Sequence, residues 1–361
     1  MSCLSYHSLV RDSLSKATEY VPGKDADYVK RKYGVERVVK LASNENPYGA
    51  SPKTIESFQK FTAFHVYPPK QPEELIEKIS EYIGVDSNRI VICAGIDGVL
   101  ECLFKIFIER GDSVAIAPPT FPYYHILADI SGAKKVYLKR DQNFMIAEKD
   151  ENAKLTIVCS PNNPTGNTER EEIVREIVDG RGIVFIDEAY AEFSDDDMVD
   201  FTEEENVVLA RTFSKAFGLA NLRIGYAVVP EWMKKYFMMV NTPFPISTPA
   251  INAAISALED IDYMRDTVEK IRDERDRVYR ELKNVGVEVY PSQANFLFFS
   301  LKQFNLPASQ YCEELMKRGV IVRDCSSFIG CDEYSVRVSI GRKEDNDVFL
   351  DATREILEDQ E

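Results

Sequence analysis

From about Leu75 to Val229 the chain repeats one pattern, in which short apolar runs alternate with longer amphipathic stretches. The runs are Ile90–Ala94, Ser113–Ala117, Leu155–Cys159, Ile183–Asp187, Val207–Thr212 and Ile224–Val229. Each is five or six residues long and mostly continuous rather than alternating, as in strands covered on both faces. Segments with helical spacing, such as Leu100–Ile108 and Arg170–Val178, lie between several of them. This rhythm predicts an α/β fold, with a mainly parallel central sheet carrying helices on both faces.

The pattern changes at Pro243–Pro249, where three prolines fall within seven residues. Proline neither continues a helix nor donates to a sheet ladder, so a domain joint is expected there. A long amphipathic helix follows over Asp262–Val285, with Met264, Val268, Ile271, Val278, Leu282 and Val285 on one stripe and Gly286 as its stop. Short strands are expected at Val287–Tyr290, Asn295–Ser300, Val320–Val322 and Ser335–Ile340, which makes a smaller α+β domain. The expected division is therefore 36–245 for the large domain and 246–361 for the small one. Residues 1–35 should pack on the small domain.

Composition narrows the functional classes. The 361 residues, 44% hydrophobic and 29% charged, are those of a soluble globular chain of about two domains. A net charge of −16 argues against nucleic acid and against an anionic membrane. Any anionic substrate must then be captured by a few local arginines. Seven scattered cysteines (Cys3, Cys93, Cys102, Cys159, Cys312, Cys325, Cys331) show no CxxC pair, and only His7, His65 and His125 are histidines. That excludes a familiar zinc pattern and suggests a reducing cytoplasm.

Four fragments carry the candidate chemistry. Ser160-Pro161-Asn162-Asn163-Pro164-Thr165-Gly166, Asp187-Glu188-Ala189-Tyr190 and Thr212-Phe213-Ser214-Lys215 each end a predicted strand. Leu222-Arg223-Ile224-Gly225-Tyr226 places an arginine eight residues after the lysine. Taken singly, the first reads as a turn, Asp187 as a helix cap, Lys215 as a surface lysine and Arg223 as an ion-pair partner. Ligands of open α/β sheets bind beyond the carboxyl ends of the strands, so these loops are expected to converge.

In this order the fragments resemble the fold-type I pyridoxal 5'-phosphate (PLP) aminotransferases and, among them, the histidinol-phosphate aminotransferases. The resemblance runs from Tyr20-Val21-Pro22-Gly23-Lys24 to Arg337-Val338-Ser339-Ile340-Gly341. It takes in Leu41-Ala42-Ser43-Asn44-Glu45-Asn46-Pro47, Tyr67-Pro68, Ala117-Pro118-Pro119-Thr120-Phe121 and Ile321-Val322-Arg323-Asp324. It implies that Lys215 carries the cofactor as a Schiff base and afterwards moves a proton, and that Asp187 pairs with the ring nitrogen. Asn163 and Tyr190 are the implied donors to the ring oxygen, and Phe121 the stacking aromatic. The phosphate would rest on Gly95, Ile96 and Asp97 at a helix start, with Ser214 and Arg223. Relatives often read Gly-Ser-Asp-Glu where this chain has Gly95-Ile96-Asp97-Gly98. Backbone amides are indifferent to that change, so only a side-chain role of the missing glutamate is affected.

By the same resemblance Tyr20, Asn44, Tyr67, Arg323 and Arg337 face the substrate, the two arginines gripping phosphate or carboxylate. Tyr67 would reach in from the second subunit of a homodimer. The implied reaction takes histidinol phosphate and 2-oxoglutarate to imidazole acetol phosphate and glutamate, a step of histidine biosynthesis. Threonine-phosphate decarboxylase and aromatic or other phospho-amine aminotransferases share the cofactor residues and stay open. A non-catalytic binding protein on this fold would be expected to lose Lys215 or Asp187, and both are present.

Overall fold

The computed structural model describes residues 6–15, 17–21 and 23–359; Cys3 and Pro22, named above, lie outside these. Seven strands form the main sheet: β2 (Ile90–Cys93), β3 (Ser113–Ile116), β4 (Lys134–Tyr137), β5 (Leu155–Cys159), β6 (Ile183–Asp187), β7 (Val207–Thr212) and β8 (Gly225–Val228). Their order is β2-β8-β7-β6-β5-β3-β4. All pairings among β7, β6, β5, β3 and β4 are parallel, and only β8 runs antiparallel to both its neighbours. β2, β5, β7 and β8 are buried along their full length, which is why their sequences show no alternation.

The helices are α1 (Ala26–Tyr33), α2 (Pro52–Gln59), α3 (Glu73–Ile83), α4 (Gly95–Phe107), α5 (Pro122–Ser131), α6 (Glu171–Val178), α7 (Glu231–Val240), α8 (Thr248–Leu258), α9 (Ile261–Asn284), α10 (Ala308–Lys317) and α11 (Lys343–Glu358). The sheet has apolar clusters on its two faces. One joins Leu100, Leu103 and Tyr124 of α4 and α5 to Val208 and Ala210, and the other joins Ile173, Val174 and Ile177 of α6 to Val207 and Leu209. Neighbouring residues of β7 thus face opposite layers, as the period of two requires.

Four short strands form a second sheet in the order β12-β13-β10-β9, all antiparallel: β9 (Glu288–Val289), β10 (Phe296–Ser300), β12 (Arg323–Asp324) and β13 (Ser335–Ser339). The run expected as one strand at Val320–Val322 forms only a two-residue strand and takes no part in the four-stranded sheet. β11 (Val320–Ile321) pairs in parallel with β1 (Val39–Lys40), and only the following residues join the four-stranded sheet. β4 was not expected. Its Lys-Lys-Val-Tyr sequence is an edge strand exposed to water at both ends, and lysines suit such an edge.

α9 carries the predicted stripe, with Met264, Val268, Ile271, Val278 and Leu282 buried, and Gly286 follows it at φ +81°. The described residues of 1–35, expected on the small domain, divide. Val29 of α1 packs against Ile321, while Arg11 Nη2 and Ser13 Oγ both donate to the carbonyl of Ile130 on α5, beside the large sheet. Among the described residues no helix is long and apolar enough to cross a membrane, and no group of three or more candidate ligands could hold a metal ion.

Candidate active site

The register of the large sheet brings the motif residues to one rim. Cys159, ending β5, lies beside Asp187, ending β6, and Thr212, ending β7, lies beside Gly225 at the start of β8, which also faces Cys93 at the end of β2. The loops leaving these ends, with the first turn of α4, line a cavity of about 220 Å³. Tyr20, Asn44, Ile96, Asp97, Phe121, Asn163, Asp187, Tyr190, Ser214, Lys215, Arg223, Arg323 and Arg337 all line it. These are the predicted residues apart from Gly95 and Tyr67.

Gly95 stands just outside, at φ +73°, where a Cβ would come within 3.0 Å of Arg223 Nη2. Gly95 to Gly98 form the first turn of α4, in keeping with the helix start expected there. Free N–H groups and the positive end of the helix dipole are thereby aimed at the rim. Tyr67 is away from this cavity. It is 78% exposed, stacked on Phe244 with ring centroids 4.6 Å apart.

Lys215 lies in the loop between β7 and β8, and its Nζ donates to the carbonyl of Ser43 at 3.1 Å. Burial, with Arg337 and Arg223 nearby, lowers its pKa to about 8. An amine in this state is a nucleophile near neutrality without a separate base. Asp187 is buried and accepts from the Tyr124 hydroxyl at 2.6 Å and from the Ala189 N–H at 3.0 Å. Burial raises its carboxyl to about 6, and those two donors hold it below where burial alone would put it.

The remaining groups form a connected network. Asn44, at φ +53°, donates from Nδ2 to the Tyr190 hydroxyl at 2.9 Å and accepts at Oδ1 from Ser339 of β13. Arg337 donates from Nη1 to Asn163 Oδ1 and from Nη2 to the Ala42 carbonyl, both at 2.6 Å, while its buried Nε has no partner. Arg323 lies over the ring of Phe328 at 5.2 Å. Arg223 pairs with Asp97 at 2.7 Å, with Ser214 Oγ at 3.4 Å from its Nη1.

This donor set fits pyridoxal phosphate. It offers an amine for an aldehyde, a buried carboxylate for a ring N–H, an aromatic wall at Phe121, and a helix start with hydroxyl and guanidinium for a phosphate. The reading of the sequence missed Tyr124, Ser43, Thr212, Cys159 and Phe328, all near or on the cavity. Of these, Tyr124 had a signal, since it follows Phe121 by one helical turn in a helix that Pro122 starts.

Comparison with known proteins agrees with this site. Residues 36–352 match the family model for aminotransferase class I and II. Histidinol-phosphate aminotransferase 1 of Archaeoglobus fulgidus is 54% identical over 327 residues, 89% of this chain and 99% of that protein. The histidinol-phosphate aminotransferase of Methanococcoides burtonii is 38% identical over 98% of this chain and 100% of its own length. Two solved structures share the fold. The histidinol-phosphate aminotransferase of Sinorhizobium meliloti in complex with pyridoxal-5'-phosphate superposes with a TM-score of 0.87 at 24% identity, covering 98% and 99% of the two chains. The aspartate aminotransferase of Thermus thermophilus with maleate gives 0.83 at 20% identity, covering 96% and 99%. The family match over most of the chain and the relatives at 54% and 38% identity agree, and the chain belongs to the class I and II aminotransferases.

Proposed function

We propose that this chain binds pyridoxal 5'-phosphate and transfers the amino group of histidinol phosphate to 2-oxoglutarate, giving imidazole acetol phosphate and glutamate. The observation that carries the reading is the meeting of Lys215, Asp187 and Arg337 in one cavity. The substrate is supported by the names of the relatives, one of them 54% identical. The cofactor supplies an electron sink for the bond broken at the substrate carbon.

The side chains divide the remaining work. Lys215, a weak base for a lysine at about 8, can hold a proton or release it within the pH range of the cell. Asp187 offers its carboxylate to the ring N–H and so keeps that proton in place. Tyr190 and Asn163 would donate to the ring oxygen of the bound cofactor, and Phe121 would cover one ring face. Ser214, Arg223 and the α4 amides bind the phosphate of the cofactor. Arg337 and Arg323 bind the acid group of each substrate in turn, and burial of Arg337 keeps water from competing.

The chain is read as a cofactor-binding unit over 36–245, which contains the seven-stranded sheet, and a smaller unit over 246–361, which contains the four-stranded sheet and α9 to α11. A cytoplasmic homodimer is proposed, with the partner subunit's Tyr67 completing each site. Rates on histidinol phosphate, histidinol, threonine phosphate and phenylalanine, read as glutamate formed, test the substrate. Histidinol phosphate should be the best of the four. Release of carbon dioxide from threonine phosphate, or preference for phenylalanine, would leave the family standing and remove this substrate.

A further inference from the structure

Asp187 has a partner to which none of the roles above assigns a function. Tyr124 has no accessible surface, lies in the first turn of α5 and packs against Phe121, with ring centroids 5.6 Å apart at 84°. Its hydroxyl donates to Asp187 Oδ2 at 2.6 Å, while the Ala189 N–H donates to Oδ1 at 3.0 Å. Each carboxylate oxygen therefore has one donor, on a different element of the fold. Two donors from two elements restrain the carboxyl plane at the edge of the cavity that Asp187 lines.

Other groups act on the same carboxylate. Cys159 on β5 is its neighbour in the ladder, and burial pushes that thiol up to about 12, so it stays neutral. Asp97 on α4 and Glu188, next in the chain, are like charges that oppose ionisation of Asp187. Tyr124 is the side-chain donor that works against them and against burial.

We infer that Tyr124 is a positioning residue of the transamination. Its hydroxyl keeps Asp187 ionised and turned so that the carboxylate receives the N–H of the bound ring. The inference rests on the cofactor reading given above. Tyr124→Phe keeps the ring and its packing but leaves Oδ2 buried without its donor. The carboxyl then takes up a proton at higher pH, and its plane is held from one side only.

The test compares binding of two probes to cofactor-free protein: pyridoxal phosphate, and its analogue with C–H in place of the ring nitrogen. A hydrogen bond to a charged group corresponds to a preference on the order of ten- to a hundredfold. The unsubstituted protein should show such a preference and Tyr124→Phe should lose most of it. The acid limb of the kcat–pH profile should also move up. Installing 3-fluorotyrosine at position 124 keeps the shape with a stronger donor, so preference is retained and the acid limb moves below that of the unsubstituted protein. If Tyr124→Phe keeps the full preference and an unchanged acid limb, Tyr124 is only a packing residue. If that variant does not fold, the fluorotyrosine protein decides, and an acid limb that does not move overturns the inference. If the unsubstituted protein itself binds both probes equally, the failure lies in the pairing of Asp187 with the ring, and the inference falls with it.

Discussion

Arg337 and Asn163 meet across the cavity, the arginine Nη1 donating to the asparagine Oδ1 at 2.6 Å, with Nη2 committed to the Ala42 carbonyl at the same distance. One guanidinium thus ties the four-stranded sheet to a strand-end loop of the large sheet and to the segment before α2. Its Nε is buried and has no hydrogen-bond partner.

If Arg337 grips the substrate phosphate, histidinol phosphate should be processed far better than histidinol. Truncating one side of a buried charge pair costs about 2–5 kcal/mol, or roughly 30- to several-thousand-fold in kcat/KM. Arg337→Leu should therefore erase most of that preference. Arg337→Lys should recover only part, because an ammonium cannot hold Asn163, Ala42 and a phosphate in one plane. A preference that survives in the leucine variant would transfer the role to Arg323.

Lys215 should be reactive at a pH where other lysines are not. In cofactor-free protein, acylation at Lys215 should rise through about pH 8, against 10.5 for an ordinary lysine, as read by peptide mapping. With the cofactor bound, borohydride should fix it to the peptide containing Lys215 and to no other. The linkage has a definite sign. A lowered folded-state pKa means that the unfolded chain holds this proton more tightly, so the contribution to stability is full above 10.5 and is lost as pH falls through about 8. Chemical denaturation of cofactor-free protein between these limits should show stability rising with pH, and Lys215→Met should flatten that slope.

Gly225 is a packing requirement of the phosphate end. A Cβ there would lie 2.5 Å from the Gly95 carbonyl carbon and 2.8 Å from the Ile96 nitrogen, which are backbone atoms of the α4 start. Gly225→Ala should push that turn off the rim. Cofactor affinity should fall by about tenfold or more, while the melting temperature of cofactor-free protein drops only modestly. Affinity unchanged by the added methyl would show that the α4 amides do not carry the phosphate.

Shared sites can be tested by mixing. Inactive Lys215→Ala and inactive Tyr67→Ala should form hybrid dimers in which one site keeps both residues. Partial recovery of activity after subunit exchange is expected. Complete absence of recovery, with exchange proven by mass, would put Tyr67 outside the partner's site.

The six short apolar runs of the large sheet were legible because both faces are covered, which makes burial readable as unbroken hydrophobicity. Asp187 and Lys215 were legible because one closes an apolar run and the other follows a run by three residues, where a charge has no role in the core. Other features were hidden for physical reasons. The edge strand at Lys134–Tyr137 has water at both ends and so carries no apolar run. Val320 and Ile321 pair with β1, some 280 residues away in sequence, and no local pattern encodes such a partner. Tyr124 reads as core because its ring is core, and its function resides in one oxygen atom. The network through Asn44, Ser339, Arg337 and Asn163 depends on side chains of modest individual signal brought together by the packing of the two sheets.

The β7–β8 connection has one more implication. Its two feet are joined by the Phe213 N–H to the Ile224 carbonyl, and between them stand both Lys215 and Arg223. The contacts proposed for the two ends of the cofactor therefore come from a single closed loop, whose length acts as a ruler. A residue inserted anywhere from Ala216 to Leu222 would lengthen it and pull the two anchors out of step, however well the rest of the molecule folded.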